Sequence, residues 1–381
     1  MKEWKQYKLI DILDKVIDYR GKTPQKTESG IPLITAKIIK DGRILPPNEF
    51  IAENNYEKWM VRGIPQEGDV VLTVEAPLGE VAQLDNRKIA LAQRVVTLRG
   101  KKGVLDNTYL KYFLMSNIGQ ARLKARETGT TVTGIKQSEL KEVLIDCPDY
   151  TTQIKIASIL NAIDAKIELN RQINDNLEQQ ASSLLSDWIS TYPCRTYKLS
   201  DICKYANAKC ETGNLTPQNY ISTENMLPNK KGIVEASNIP TGKATCYKVD
   251  DILIANIRPY FQKIWKADIN GGCSADVLCI RANIESHSPI LYWLLHQDAF
   301  FEYVMTGAKG CKMPRGDKQH IMNWSIDLPE VQYWADLATQ LGSIDQQIAY
   351  NRIESINLSN LRDTLLPKLM SGEIKINEID C

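Results

Sequence analysis

The sequence repeats itself once, at a shift of about 181 residues. The segment YKLIDI at 7–12 returns as YKLSDI at 197–202, and GDVVLTVEAP at 68–77 returns as DDILIANIRP at 250–259. The clearest match pairs LNAIDAKIELNRQINDNL with LGSIDQQIAYNRIESINL, which begins at Leu341. Solenoids repeat a unit of roughly 20–50 residues many times. One long period used twice instead indicates duplication of a whole domain together with a helix.

Each repeat predicts a mixed globule followed by a long helix. Short β-rich runs lie between Gly and Pro residues and are followed by helical patches at 108–125 and 288–305. The predicted strands include Val70–Val74, Val95–Leu98, Ile252–Ile254 and Val277–Ile280. The segments 150–190 and 329–371 contain almost no Gly or Pro, which favours long helices.

These patterns predict an α+β fold with two tandem mixed α/β domains, each followed by a helix. The expected domains are a globule at 1–149, a helical spacer at 150–190, a second globule at 191–328, and a second helical spacer with the C-terminal tail at 329–381.

Both helices carry a seam of residues spaced alternately by four and three. In the first helix the seam comprises Ile156, Leu160, Ile163, Ile167, Asn170, Asn174, Leu177, Ala181, Leu184 and Trp188. In the second it comprises Leu337, Leu341, Ile344, Ile348, Asn351, Ser355, Leu358, Arg362, Leu365 and Leu369.

This spacing favours a coiled coil over a plain amphipathic surface helix, because it recurs at the same phase in both copies. We expect 151–189 and 332–370 to form an antiparallel coiled coil. Asn170 and Asn351 occupy equivalent seam positions and should then lie close together. A polar Asn in a seam fixes register at a cost in stability.

Positive charge is concentrated in the globules. Residues 1–149 carry a net charge of +4 and residues 191–328 a net charge of +3, whereas 150–190 carry −2 and 329–381 carry −4. Basic globules joined by acidic helices are consistent with a protein that straddles DNA.

Candidate DNA contacts lie in the loops between predicted strands. Arg and Lys pair with phosphates or guanine, and Asn and Gln can read adenine. In the first globule they are Arg20, Lys22, Thr23, Lys37, Arg43, Arg126, Thr130 and Lys136. In the second they are Lys204, Asn207, Lys209, Asn256, Arg258, Tyr260, Gln262, Lys263, Lys309, Lys312 and Arg315.

The sequence predicts no catalytic residue and no metal ligand set. It lacks a GxxxxGK[ST] phosphate-binding loop and the FxGxG and [DN]PP[FY] elements of an adenine methyltransferase. None of the nine Cys are spaced C-x2-C, and none of the three His are spaced i,i+4. Free thiols without a signal peptide or a membrane-length apolar run predict a cytoplasmic protein without membrane contact.

With this organisation, the chain resembles the specificity subunit of type I restriction–modification enzymes over essentially its whole length. The resemblance rests on GDVVLTVEAPLGEVA, on DILIANIRPYFQKIW, and on the final helix from IDLPEVQ to LLPKLMSGEI. It implies that each globule is a target recognition domain for one half of a bipartite DNA sequence, with the helices setting the gap. It also implies binding to two methyltransferase subunits and, through them, two restriction (helicase–nuclease) subunits. S-adenosylmethionine, ATP and Mg²⁺ would bind these partners, and no cofactor would bind this chain.

Two other functions fit the same architecture. The chain could serve a methyltransferase-only system, or it could be a scaffold whose globules bind protein rather than DNA. Within the DNA reading, Glu75 and Glu80 stand where the second repeat has Ile257 and Gln262, so the two half-sites should differ.

Overall fold

The computed structural model describes residues 4–129 and 133–374. The chain divides into two compact units. Unit 1 comprises Met1–Glu168 with Ser355–Cys381, and unit 2 comprises Leu169–Glu354. Each unit contains one globule and a part of each long helix.

The first repeat supplies the strands and short helices of unit 1 and then the first long helix. In chain order these are β1 (Lys5–Lys8), α1 (Leu9–Ile12), β2 (Leu13–Asp18), β3 (Ile31–Ile34), β4 (Ile39–Lys40), β5 (Arg43–Ile44), β6 (Phe50–Ile51), α2 (Tyr56–Trp59), β7 (Val70–Val74), β8 (Leu78–Gln83), β9 (Ala90–Leu91), β10 (Val95–Gly100), α3 (Asn107–Met115), α4 (Asn117–Lys124), α5 (Gln137–Lys141), β11 (Leu144–Cys147) and α6 (Tyr150–Thr191).

The second repeat supplies the matching elements of unit 2. They are β12 (Cys194–Lys198), α7 (Leu199–Ile202), β13 (Cys203–Tyr205), β14 (Lys209–Glu211), β15 (Tyr220–Ile221), β16 (Lys243–Tyr247), β17 (Ile252–Ala255), β18 (Ile264–Lys266), β19 (Gly271–Cys273), β20 (Val277–Ala282), α8 (Ser288–Leu295), α9 (Asp298–Thr306), α10 (Lys318–Met322), β21 (Ser325–Pro329) and α11 (Trp334–Met370).

The same four-stranded sheet occurs in both units, as the matching strand sequences require. Its order is β2-β10-β7-β8 in unit 1 and β13-β20-β17-β18 in unit 2, with antiparallel neighbours. The inner strand β7 is an unbroken run of buried residues, VVLTV, because its sheet is covered on both faces. The four strands predicted at Val70–Val74, Val95–Leu98, Ile252–Ile254 and Val277–Ile280 are all present.

A second small sheet packs on the first in each globule, and here the repeats diverge. Unit 1 has the order β6-β3-β9, and unit 2 has β14-β16-β19-β15. Each includes one parallel pair, β3 with β9 and β15 with β19. The mixed helix and sheet content agrees with the predicted α+β class.

The predicted helical patch at 108–125 consists of two helices separated by a tight turn. Asp106 caps α3 by accepting a 2.8 Å hydrogen bond from the Tyr109 amide, and Ser116 caps α4 through the Gly119 amide at 3.2 Å. A Cβ at Gly119 would lie 2.1 Å from the Phe113 carbonyl oxygen, so only Gly fits this close approach. The second patch divides similarly into α8 and α9.

Each unit buries its part of the long helices against its own globule. In unit 1, Ile156 and Leu160 of α6 join Leu366 and Leu369 of α11 in the core that contains Phe113. In unit 2, α6 and α11 contribute Ala181, Leu185, Trp188, Trp334, Leu337, Leu341 and Ile344 to one cluster.

The seam differs from the prediction: Leu177, Ile348 and Leu358 are only partly buried, and at two positions the neighbouring residue is buried instead. Leu185 and Leu366 are buried, whereas the predicted Leu184 and Leu365 are only partly buried. Both positions lie where the helix also packs on a globule. The buried face is therefore wider there than the strict seam of a two-helix coiled coil.

Candidate nucleic-acid interface

In unit 1, several loops meet where β7 ends. Glu75 forms a β-bridge with Gly134, and Gly134 forms another with Thr128. The Ile135 amide donates to the Val74 carbonyl at 2.9 Å, and Arg20 Nη1 donates to the Ile135 carbonyl at 2.5 Å. We call this surface the loop edge of unit 1, and it consists of residues 20–23, 75–77, 93–94, 126–129 and 133–136.

Unit 2 repeats these backbone contacts at the matching positions. Ile257 bridges Arg315, and Arg315 bridges Lys309. The Gly316 amide donates to the Asn256 carbonyl at 3.1 Å, and the Arg258 amide donates to the Pro314 carbonyl at 2.8 Å. The loop edge of unit 2 consists of residues 256–263, 274–276 and 307–317. The recurrence shows that the duplication preserved a loop framework as well as a sheet.

Both loop edges hold a non-glycine residue in the left-handed region immediately before a proline. Ala76 has φ 47° and precedes Pro77, and Arg258 has φ 52° and precedes Pro259. This conformation is unfavourable for residues with a Cβ, and strained backbone tends to cluster at functional sites. The turn is therefore a candidate site in each unit.

Most of the predicted contacts of unit 1 lie at the loop edge. Arg20, Lys22, Thr23, Arg126 and Lys136 lie at the loop edge, and Thr130 lies outside the described residues.

Three of the predicted contacts at the loop edge of unit 1 have intramolecular partners. Arg20 binds the Asp18 carboxylate, with Nη2 to Oδ2 at 2.6 Å, and Arg126 binds Glu139 at 2.9 Å. Thr23 Oγ1 donates to Gln93 Oε1 at 3.0 Å. Lys22 and Lys136 are exposed, so they can reach phosphates directly.

Lys37 and Arg43 are not among the residues that define the loop edge, and each lies near a carboxylate. Lys37 is 3.9 Å from Glu49, and Arg43 is 3.7 Å from Glu168 of α6. The carboxylates beside these two residues are distant in sequence and were not predicted, and the role of Lys37 and Arg43 as DNA contacts stays a prediction.

In unit 2, one set of predicted contacts lies at the loop edge: Asn256, Arg258, Tyr260, Gln262, Lys263, Lys309, Lys312 and Arg315. Arg258, Tyr260 and Lys312 are exposed.

Several other members of this set have intramolecular contacts. Lys263 Nζ donates to the Thr223 carbonyl at 2.6 Å, and burial lowers the pKa of its amine. Gln262 lies near Asp298 and, with Lys230 as the larger cause, helps lower the pKa of that carboxyl. Lys309 binds Asp317 at 2.6 Å, which helps lower the pKa of that carboxyl to about 2.

The other three predicted contacts of unit 2 are not among the residues that define the loop edge: Lys204 lies in β13, Lys209 begins β14, and Asn207 lies between the two strands. Lys204 lies opposite Arg281 in the antiparallel β13–β20 ladder, at the end of β20 that is farther from the loop edge. Lys209 Nζ donates to Thr245 Oγ1 at 2.9 Å, and Asn207 is exposed between β13 and β14.

The two loop edges carry opposite charges at one equivalent position. Arg94 lies before β10 and is 3.7 Å from Glu75. Its counterpart Asp276 lies before β20 and is 3.1 Å from Arg315. A similar backbone therefore presents side chains of opposite charge in the two units. Neither Arg94 nor Asp276 was among the contacts predicted from the sequence.

Two carboxylate clusters, one buried and one partly buried, were not predicted from the sequence, although their aspartates are identical in the two repeats. Asp69 binds Arg99 through two hydrogen bonds of 2.7 Å, and Asp251 binds Arg281 at 2.7 and 2.6 Å. Both pairs lie at the end of the sheet opposite the loop edge, where they connect neighbouring strands.

The second cluster attaches each globule to a long helix. Asp164 of α6 accepts hydrogen bonds from Tyr112 at 2.7 Å and Arg362 at 3.0 Å. Its equivalent, Asp345 of α11, accepts from Lys266 at 2.6 Å and Trp293 at 2.8 Å. Cations and the Tyr112 hydroxyl outweigh desolvation and lower the pKa of Asp164, whereas desolvation raises the pKa of Asp345.

The two seam asparagines meet within unit 2. Asn170 Nδ2 lies 3.4 Å from the Asn351 carbonyl oxygen and 2.7 Å from Glu354 Oε2. Asn351 Nδ2 donates to Asn174 Oδ1 at 2.8 Å. The contacts pair increasing residue numbers on α6 with decreasing numbers on α11, so the helices are antiparallel within this unit.

Residues 4–129 and 133–374 contain no group of three or more His, Cys, Asp or Glu arranged to hold a metal ion. Over the same ranges, no helix is long and apolar enough to cross a membrane.

Comparison with known proteins places these features in a family context. Residues 1–179 match the family model of the type I restriction modification DNA specificity domain. The type I restriction enzyme MjaIX specificity subunit of Methanocaldococcus jannaschii is 25% identical, over 99% of this chain and 95% of the relative. The MjaVIII specificity subunit of the same organism is 21% identical, over 99% and 94%. The crystal structure of the type I restriction–modification S subunit from M. genitalium has the same fold, with a TM-score of 0.58, 18% identity and 96% coverage of both chains.

Proposed function

We propose that the chain is a type I restriction–modification specificity subunit and that each globule reads one half of a bipartite DNA sequence. Its role is DNA sequence recognition, and it is not itself an enzyme. In this proposal, residues 1–149 and 191–328 are the two target recognition domains, and each presents its loop edge to DNA.

The duplicated loop edge is the observation that carries the proposal. Bridges Glu75–Gly134 and Ile257–Arg315 hold equivalent loops, while the side chains that they present differ. A conserved framework with variable side chains suits two readers of different sequences. Exposed Lys22, Lys136 and Lys312 would bind phosphates, and Arg258 would reach a base edge.

The helical segments 150–190 and 329–381 complete the proposal as an antiparallel coiled coil. The Asn170–Asn351 contact and the buried seam residues support it. The coiled coil would set the gap between half-sites and bind two methyltransferase subunits, with two restriction subunits attached through them. S-adenosylmethionine, ATP and Mg²⁺ would bind these partners.

Methylation mapping by long-read sequencing tests the proposal in the native host. The wild-type strain should carry a methylated motif with two specified halves and an unspecified gap, and deletion of this chain should abolish it. Replacing residues 1–149 with the matching segment of a relative should change only one half. A contiguous motif, or a change in both halves, would contradict the assignment of one half to each globule.

A challenge with unmethylated plasmid separates the possible systems. Loss of plasmid that depends on this chain indicates a full restriction complex. Methylation without such loss indicates a methyltransferase-only system. If deletion of the chain changes neither methylation nor plasmid survival, the proposal fails.

A further inference from the structure

We propose that Glu75 determines specificity by accepting a hydrogen bond from the N4 amino group of a cytosine in the half-site read by unit 1. The proposal rests on the function proposed above and adds a residue that the candidate list did not contain. Glu75 is an acidic side chain at the end of β7, on a loop edge where basic residues outnumber the acids Glu75 and Glu127.

The backbone fixes the position of Glu75. The residue directly follows β7 and is bridged to Gly134, whose flanking Ile135 amide donates to the Val74 carbonyl at 2.9 Å. A Cβ at Gly134 would lie 2.7 Å from the Val74 oxygen and 3.3 Å from Glu75 Cγ. A side chain at 134 would therefore collide with the strand end, and Gly allows the Glu75 stem to lie against this backbone.

The glycine also leaves the Glu75 carboxylate without a cation directly across the bridge. In unit 2 the equivalent bridge joins Ile257 to Arg315, so there the basic side chain occupies the partner position. In unit 1 the nearby cation is Arg94, with Nε 3.7 Å from Glu75 Oε1, beyond hydrogen-bonding distance. The Glu75 side chain is 37% exposed, so its oxygens can reach a ligand.

The chemistry of these oxygens selects the ligand. A carboxylate only accepts hydrogen bonds and is repelled by phosphates, so Glu75 would weaken binding to the DNA backbone. In the major groove, cytosine presents an N4 amino donor, and Glu is a known type of acceptor for it. Exposed Lys22 and Lys136 at the same edge would bind the flanking phosphates and bring the carboxylate to the base.

A structural role in an ion pair with Arg94 is the competing explanation. Arg94 and Glu75 are 47% and 37% exposed, and pairs of this kind contribute about 0–1 kcal/mol. Glu75→Ala should therefore leave folding almost unchanged, which allows its effect on recognition to be measured.

The test compares four complexes of the full chain with its methyltransferase partner: wild type, Glu75→Ala, Glu75→Gln and Glu67→Ala. Glu67 is the matched control, because it is an exposed acid just before the other end of β7. Each complex is mapped for its methylated motif, and DNA affinity is measured with every base substituted in turn at each half-site position.

We expect Glu75→Ala to reduce discrimination at one G·C position by roughly 10- to 100-fold and to leave the other half-site unchanged. Binding to non-specific DNA should become slightly tighter at low salt, because one repulsive charge is lost. Glu75→Gln should shift preference toward A·T at that position, since a glutamine amide can pair with adenine N6 and N7. Glu67→Ala should keep the wild-type motif.

An unchanged motif in both Glu75 variants would overturn the proposal, as would a unit 1 half-site with no G·C pair. The same relaxation in Glu67→Ala would also overturn it, because the effect would then be one of charge alone. Failure of the proposed function has a different signature, since the wild-type complex itself would then show no bipartite motif.

Discussion

The equivalent aspartates Asp164 and Asp345 should respond differently to the same substitution, Asp to Asn. Asp164 faces two cations: Arg362 at 3.0 Å and Lys111 at 3.2 Å. The Lys111 side chain is 7% exposed, and burial already lowers the pKa of its amine. Asp345 faces Lys266, which has a second carboxylate, Asp250, at 3.0 Å.

These contacts set the expected magnitudes. Breaking a buried ion pair costs about 3–5 kcal/mol when the remaining charge is left without a partner. Asp164→Asn leaves the Lys111 charge without a carboxylate partner. Arg362 keeps Asp363 at 2.8 Å, so we expect a loss of folding stability of about 3 kcal/mol, at the lower end of this range. Asp345→Asn retains an acceptor for Trp293 and removes a desolvated charge, so we expect a loss of about 1 kcal/mol or less.

Thermal unfolding followed by hydrogen exchange of peptides from each unit would measure the two losses separately. For units of this size, about 1 kcal/mol corresponds to a shift in Tm of roughly 2–4 °C. Asp164→Asn should lower the unfolding temperature of unit 1 by about 6–12 °C, and Asp345→Asn should lower that of unit 2 by less than about 4 °C. Equal losses, or a larger loss from Asp345→Asn, would refute the reasoning from ionic partners.

The same variants should reveal opposite dependences on pH. The folded-state pKa of Asp164 is lowered, so its contribution is present above the unfolded value of 3.8 and is lost as the pH falls through the folded pKa. The folded-state pKa of Asp345 is raised, so its contribution grows as the pH falls through that pKa toward 3.8. The stability difference between wild type and variant should therefore shrink on acidification for Asp164→Asn and grow for Asp345→Asn.

Three predictions concern recognition and geometry. Arg258→Ala should cost about 1–3 kcal/mol if the guanidinium reads guanine, and methylation mapping should show relaxed specificity in one half-site only. Lys312→Ala should weaken binding to all sequences and reduce the slope of affinity against salt by about one, whereas a motif change would indicate base contact. Inserting one heptad after Glu168 and another after Glu354 preserves the seam spacing and lengthens each helix by about 10 Å. If the helices set the gap, the mapped motif should keep both halves and widen by about three base pairs, and an unchanged gap would contradict that role.

The strands and long helices could be predicted because their signals are local. The apolar run at Val70–Val74 coincides with β7, and the helix expected at 151–189 is observed as Tyr150–Thr191. The seam register was less predictable near the globules. Leu185 is buried there in place of Leu184, because the helix face is shaped by a tertiary neighbour as well as by the other helix.

The free or paired state of each basic residue could not be predicted, because it depends on contacts distant in sequence. Arg43 lies beside Glu168, and Lys263 donates to the Thr223 carbonyl. Basic loop composition indicates a surface that can face DNA, but it does not separate side chains that bind the protein itself from those available to a ligand. The structure was needed to identify Lys22 and Lys312 as exposed side chains that are available to a ligand.

The duplication separates residues that maintain the fold from residues that we propose to read DNA, and β7 shows the separation within one strand. Before the strand begins, Asp69 binds Arg99, and the equivalent Asp251 binds Arg281 with the same geometry. After the strand ends, Glu75 in one repeat is Ile257 in the other. A buried carboxylate cannot change without leaving an uncompensated cation, whereas an exposed residue at the loop edge can change at little cost to folding. If the loop edge reads DNA as proposed, new specificities can arise at one end of the strand while the ion pair at the other end holds the sheet together.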